Sequence, residues 1–322
     1  MALSGSALHD NANTTFMAAF QQFFAGASPM TMNHFVQVIN SKSKNVEIDF
    51  VLNTNTWREW LGGKQVGSPK AQKHSVPFRR FENSFSLDRP DVEYDVSGQV
   101  GAFIGAKVAG AAEEFEKIVY DELVSNSGAG PLCCDGTALF NTAHPMADGT
   151  TQSNKGTAAL SFQAYDAVQT AGQSLRNHNG RPLGVVYDTL LCGPSNRRIA
   201  LDIAGNSVRP VSVRNTGAFN EQGDVSGTAQ VGATAIGNVF QGEIKVVISN
   251  QLIGAQAGYW YLMCTTRPDK PMILVQQRGP TPIYMNASDS EARYWTDKYH
   301  YSIEADVSPS AGVPFLSYAN IV

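Results

Sequence analysis

The chain has 322 residues, enough for one large or two modest domains with a substantial core. Charged residues make up 16% against 43% hydrophobic, and the net charge of −4 argues against a dedicated nucleic-acid-binding domain. No C-x-x-C spacing joins Cys133, Cys134, Cys192 and Cys264; a zinc site of that kind is not expected, and a few unpaired thiols fit synthesis in a reducing cytoplasm.

A chain with so few charges must cover much of its surface in some other way, and burial against partner subunits is the obvious route. From Met1 to Ser41 the sole formal side-chain charge is Asp10, apart from the histidines. Within that stretch Phe16, Phe20, Phe23 and Phe24 recur at i, i+4, i+7 and i+8, which predicts one stripe of an amphipathic helix ending at Gly26 and Pro29. A stripe this aromatic must pack on its own domain or on a neighbour. There is no basic n-region and no uninterrupted apolar h-region, so a signal peptide is not expected. The longest apolar stretch, Val100 to Ala112, is too short for a bilayer and carries Lys107; no membrane partner is expected.

Val46, Ile48, Phe50 and Leu52 alternate with mostly polar positions and predict a strand. A loop with Trp57, Trp60 and Gly62-Gly63 follows. It is basic (Lys64, Lys70, Lys73, Arg79 and Arg80) up to Glu82, where the sign reverses through Asp88, Asp91, Glu93 and Asp95. Phe78 to Tyr94 reads as a second extended stretch, so the pair predicts an extended hairpin that needs a surface to lie on. From about Val96 to Val124 the spacing of Val100, Ile104, Val108, Ala111, Phe115 and Ile118 predicts a helix on the order of 40 Å long. Its glycines, Gly98, Gly101, Gly105 and Gly110, predict close packing against another backbone.

Ser161 reads as the N-cap of a second helix bearing Tyr165, Val168, Gly172 and Leu175 and ending at Asn179-Gly180. Val185–Cys192 reads as a buried strand, and Pro194 starts a short helix through Ile203. Residues 206–242 read as loops and short strands. Further strands are expected at Glu243–Ser249, Tyr259–Thr265, Met272–Gln277 and Tyr299–Ala305.

No G-x-S-x-G, H-E-x-x-H, Walker A or G-x-G-x-x-G pattern is present. Glu113 and Glu114 are adjacent on a helix and point apart. His144 with Cys133 or Cys134 offers a base and a nucleophile, but the orienting third group is missing; a loop histidine bonding backbone beside a proline turn is the favoured reading. The basic residues Lys64 to Arg80 suit a solvated loop, or an acidic surface on a neighbouring subunit, better than phosphate. Trp57 and Trp60 read equally well as interface anchors and as packing under the hairpin.

Several runs, taken in order, resemble the major head subunit of Mu-like tailed bacteriophages and prophages. They are Leu139-Phe140-Asn141-Thr142-Ala143-His144-Pro145, Ser153-Asn154, Gly180-Arg181-Pro182-Leu183-Gly184 and Leu190-Leu191-Cys192-Gly193-Pro194. Trp57-Arg58-Glu59-Trp60-Leu61-Gly62, Arg89-Pro90-Asp91-Val92-Glu93-Tyr94-Asp95 and Lys270-Pro271-Met272-Ile273 extend the likeness from about Trp57 to Gln277.

The resemblance implies an α+β Hong Kong 97-type capsid fold. It divides the chain into an N-terminal arm (1–45), an extended hairpin loop or E-loop (46–95), a peripheral domain with a spine helix at about 96–124 (96–182 and 266–305) and an axial domain (183–265 and 306–322). It implies a structural protein, not an enzyme and without cofactors, which self-assembles into hexamers and pentamers of an icosahedral head around double-stranded DNA. Portal and scaffolding proteins would be its assembly partners, with room for a decoration protein; assembly would occur in the host bacterial cytoplasm, and the product would be the virion capsid. Inter-subunit contacts are expected from Phe16, Phe20, Phe23, Phe24, Trp57, Trp60, Lys64, Lys70, Lys73, Arg79 and Arg80. Two alternatives are the shell of a capsid-derived nanocompartment and a cysteine-dependent enzyme using His144.

Overall fold

The structure, a computed structural model, describes residues 5–25, 30–51, 59, 62, 71–95, 98–146, 149–178, 180–205, 208–213, 232–238, 240–284 and 295–322. In chain order the elements are α1 (Gly5–Phe20), β1 (Val36–Asn40), β2 (Val46–Val51), β3 (Ala71–Val76), β4 (Arg80–Asp88), α2 (Arg89–Glu93) and α3 (Gln99–Leu123). Next come β5 (His144–Pro145), β6 (Thr151–Gln152), β7 (Lys155–Gly156), α4 (Phe162–Ser174), β8 (Thr189–Cys192) and α5 (Arg197–Gly205). The last are β9 (Val208–Val213), β10 (Gly232–Gly237), β11 (Lys245–Ile248), β12 (Trp260–Met263), β13 (Met272–Tyr284), β14 (Lys298–Ala311) and β15 (Ser317–Asn320). Among the described residues no helix is long and apolar enough to cross a membrane.

A four-stranded sheet runs in the order β1-β13-β14-β4, with β1 parallel to β13 and the other pairs antiparallel. The inward residues Tyr299, Tyr301 and Ile303 of β14 alternate with less buried ones and meet helices α1 and α3. Phe16 of α1 is fully buried there, with its ring 5.0 Å from Tyr301 and 6.0 Å from Phe85. The phenylalanine stripe thus packs on its own chain. The helix turn widens to π-type at Gln21–Ala25, and Phe24 there stacks on Phe20 and meets Phe115.

At its start α3 is held by Asp95, whose carboxylate oxygens accept from the Gln99 and Val100 amides at 3.1 and 3.0 Å, while Gly98 takes the left-handed φ of 71°. Its 25 residues span roughly 38 Å. Ile104, Val108 and Ala111 are buried as the period predicts, but the buried arc then turns to Val119, Tyr120 and Leu123. This end of the helix lies in a core that also takes Leu274 and Val307 of the four-stranded sheet and Leu191 and Tyr261 of the second sheet. Of the helix glycines, Gly101 packs 3.6 Å from Thr15 of α1, whereas Gly105 and Gly110 face open space; the expected close packing holds only at the first of these.

The second sheet has five strands in the order β11-β8-β12-β15-β7. Alternate residues of its central strands serve opposite faces: Leu191, Tyr261, Met263 and Ala319 join the first core, while Leu190, Cys192, Trp260 and Leu262 join another with Tyr165, Val168 and Tyr187. Burial on both faces explains why Leu190-Leu191-Cys192 and Trp260-Tyr261-Leu262-Met263 read as unbroken apolar runs. α4 is capped by the Ser161 hydroxyl, which accepts from the Ala164 amide at 3.1 Å. It ends at Ser174, earlier than Asn179-Gly180, because the Gln152 side chain captures both backbone groups of Arg176 at 2.7 and 2.9 Å. β8 likewise starts at Thr189, after a non-ladder stretch in which Val185 and Tyr187 are buried and Val186 is exposed.

The hairpin differs from its expected pairing. β2 pairs antiparallel with β3, inside the segment read as loop, while β4 joins the four-stranded sheet against β14 and Arg89–Glu93 is helical. Val76 is the buried anchor of β3, and with Val46, Ile48 and Phe50 it packs on Ile273 and Val275 of β13. β9 and β10 form a two-stranded ladder within the 206–242 region.

Candidate functional site

The residues expected at subunit contacts fall into three groups. Phe16 and Phe20 are buried in their own chain, and Phe23 and Phe24 pack partly buried against the same cluster. Trp57, Trp60, Lys64 and Lys70 lie outside the described residues. Lys73, Arg79 and Arg80 are described, and each has an acidic partner within the chain.

Lys73 Nζ donates to Glu47 Oε2 across the β2–β3 hairpin at 2.9 Å, a pair exposed on both sides. Arg79 donates to Glu122 of α3 at 2.7 Å, with its guanidinium 5.2 Å over the Phe81 ring. Arg80 Nε donates to Asp306 Oδ1 at 2.9 Å, and Arg278 approaches Asp306 Oδ2 at 3.3 Å and Glu304 at 2.6 Å. The β4–β14–β13 register, with Arg80 and Arg278 both opposite Asp306, builds this ladder. Arg79 and Arg80 therefore tie the base of the hairpin to the body of the subunit.

Large apolar groups remain exposed, two of them, Tyr94 and Phe103, beside the α3 N-terminus. Tyr94, Phe103 and Trp295 are 77%, 43% and 74% exposed. Tyr94 and Phe103 share a hollow with Asp88, Asp91 and Asp95. A second hollow of about 330 Å³ between α3 and the four-stranded sheet is floored by Phe24, Phe81, Phe115 and Ile303 and flanked by Glu82 and Glu114.

His144 has no cysteine partner. It is 1% exposed, with Nδ1 2.6 Å from Asp135 Oδ2 and Nε2 3.0 Å from Asn154 Oδ1. Burial pushes the Cys133 thiol up and raises Cys134 to about 11, with the Asp135 charge adding to both, so neither supplies a thiolate near neutrality. No group of three or more His, Cys, Asp or Glu among the described residues is arranged to hold a metal. The orienting acid missing from the sequence reading is Asp135; the ring it holds is buried, and the Cys134 thiol that lines the same hollow as Asp135 is neutral.

Asp188 is a second structural node that sequence reasoning missed. Its carboxylate accepts from the Thr265 and Thr266 amides, each at 2.8 Å, and from the Thr265 and Thr189 hydroxyls at 2.6 and 2.8 Å. Burial opposes its ionisation, but these donors outweigh it and hold the carboxyl below its ordinary value. It fixes the exit of β12 beside β8. No local pattern marks it, since its donors lie 77 residues and more away except for the adjacent Thr189.

The sequence matches the family described as Mu-like prophage major head subunit gpT over residues 9–159 and 238–320. It is 24% identical over 140 residues to the major capsid protein of Escherichia phage Mu, covering 42% of this chain and 45% of that protein. It is 28% identical over 97 residues to the Mu-like prophage FluMu major head subunit of Haemophilus influenzae, covering 29% and 31%. The matched stretches thus span less than half the length of either curated relative. Among solved structures, the procapsid of bacteriophage JBD30 superposes with a TM-score of 0.52 at 19% identity, over 98% of this chain and 75% of that one. The capsid of the native GTA particle gives 0.51 at 10% identity, over 92% and 90%. The fold is that of these capsid subunits, the Hong Kong 97 type expected from sequence. On the match across both halves of the sequence, the chain belongs to the Mu-like prophage major head subunit family.

Proposed function

We propose that this chain is the repeating subunit of a phage head, a structural protein whose activity is self-assembly. The observation that carries the reading is the family match over 9–159 and 238–320, joined to a fold shared with capsid subunits across nearly the whole chain. In this reading the subunits form hexamers and pentamers of an icosahedral shell around double-stranded DNA in the host bacterial cytoplasm, with portal and scaffolding proteins as partners. Residues 1–45 serve as the arm, 46–95 as the extended loop, 96–182 with 266–305 as the peripheral domain, and 183–265 with 306–322 as the axial domain.

The hairpin is the contact element. Its residues Trp57, Trp60, Lys64, Lys70 and Lys73 meet an acidic, aromatic surface on the adjacent subunit, for which Asp88, Asp91, Tyr94 and Phe103 have the matching chemistry. Many weak, repeated contacts of this kind allow misplaced subunits to leave before the shell closes.

Arg79 and Arg80 bond within the subunit, so the discriminating variant leaves them intact. In Lys64→Glu/Lys70→Glu/Lys73→Glu, particles recovered by sedimentation should fall several-fold while circular dichroism and melting of the subunit stay near wild type. The Lys73–Glu47 pair is exposed on both sides and screened by solvent, so its loss should leave the fold of the subunit intact. Unchanged particle yield from a folded variant would remove the hairpin from the contact.

A further inference from the structure

We infer that His144 is held as an imidazolium and, with Asp135 and Asn154, forms a proton-dependent latch on the C-terminal turn. The inference starts from Asn154, which is fully buried and whose amide can point only one way. Its Nδ2 lies 2.7 and 2.8 Å from the carbonyl oxygens of Leu139 and Pro314, which only accept. Its Oδ1 takes the Asn141 backbone N–H at 2.9 Å, so that atom is an acceptor. The Nε2 of His144, 3.0 Å from the same Oδ1, must therefore carry a proton.

On the other side of the ring, Nδ1 lies 2.6 Å from Asp135 Oδ2 and 3.1 Å from the Thr137 hydroxyl oxygen, whose single hydrogen goes to Asp135 Oδ1 and which therefore faces Nδ1 as an acceptor. The other carboxylate oxygen is held by the Thr137 amide and hydroxyl, each at 2.9 Å. Both ring nitrogens thus face acceptors, and an imidazolium beside a carboxylate is the arrangement that satisfies all of them. The charge pair is sealed by Phe315, whose ring stands edge-on 5.3 Å from the imidazole.

The segments tied together lie far apart in the chain. They are the turn at 133–138, the loop at 139–154 and the C-terminal turn at 314–316, and the Ala319 amide of β15 donates to the Asn154 carbonyl at 3.0 Å. The titratable groups facing the pair are few. Cys133 and Cys134 flank Asp135 as neutral thiols, and the adjoining hollow of about 250 Å³ is lined by Asp49, His178 and Asp269.

Burial opposes ionisation of Asp135, and the hydrogen bonds from His144 and Thr137 outweigh it, leaving the carboxyl below its ordinary value. A depressed carboxyl contributes stability above the ordinary carboxylate range and loses it as pH falls through the lower folded value. Acid therefore opens the latch.

Nitrogen-15 spectra of histidine-labelled protein at neutral pH test the protonation state, in solution for free subunits or in the solid state for assembled particles. Both His144 ring nitrogens should be protonated; one bare nitrogen overturns the inference. Hydrogen exchange of the Pro314–Asn320 peptide, corrected for intrinsic rates, tests the latch. As pH is lowered from about 7 through the ordinary carboxylate range its protection should fall, the loss approaching about tenfold per unit of difference between the folded and unfolded Asp135 values once pH is below the folded one. In Asp135→Asn that pH response should vanish. An equal response in wild type and variant overturns the latch, and the spectra on wild-type protein decide the protonation state even if the variant does not fold.

Discussion

A side chain added at Gly193 would run into the carbonyl oxygen of Leu252, whereas one added at Gly105 in α3 would meet nothing within 4 Å. Gly193→Ala should therefore cost about 1–3 kcal/mol, because backbone must move to admit the methyl. Gly105→Ala should stabilise the subunit by about 0.5–1 kcal/mol, since the helix interior gains propensity without a clash. Chemical denaturation of the free subunits measures both, and equal effects would show that local packing does not set the outcome. The sequence held both glycines in recognisable settings, a strand exit and a helix. It could not separate them, because the atoms that decide belong to Leu252 in one case and to solvent in the other. His144 behaves similarly: read from sequence as bonding backbone with no orienting acid, it instead bonds the side chains of Asp135 and Asn154, which become partners only when the loop closes on itself.

At the scale of elements, α1 is held by a small set of contacts. Phe16 fills the space between α3 and β14, and Tyr301 Oη donates to Asn13 Oδ1 at 3.1 Å in the same buried seam. Phe16→Ala should cost about 3–5 kcal/mol by the cavity it leaves. Limited proteolysis should then release residues before α3 sooner than in wild type; unchanged protection would mean that α1 is held by other contacts. The long helix, the four late strands and the Ser161 cap were legible because period and cap chemistry are local signals. β3 was not, because within Gln72–Val76 the one buried apolar residue is Val76, and its anchors Ile273 and Val275 lie about 200 residues further on. The same distance hid the arginine pairs, since Arg79 finds Glu122 and Arg80 finds Asp306 only in the folded chain. Sign reversal along 64–95 was real information, but much of that charge is matched inside the subunit.

For the whole molecule, both sheets share one core through the C-terminal half of α3, so the subunit has a continuous interior from β1 to β15. What it leaves exposed is unusual for a solitary protein: large aromatics at Tyr94 and Phe103 lining an acidic hollow, and Trp295, in a chain poor in charge. Assembly covers such surfaces, and the family and fold agree with that use. Electron microscopy of the purified protein, produced with its natural assembly partners, tests the central claim most directly. Closed icosahedral shells of hexamers and pentamers, with DNA or a tail vertex, are the predicted result. Shells filled with protein cargo would change the job while keeping the fold, and a small discrete oligomer that never closes would contradict the account.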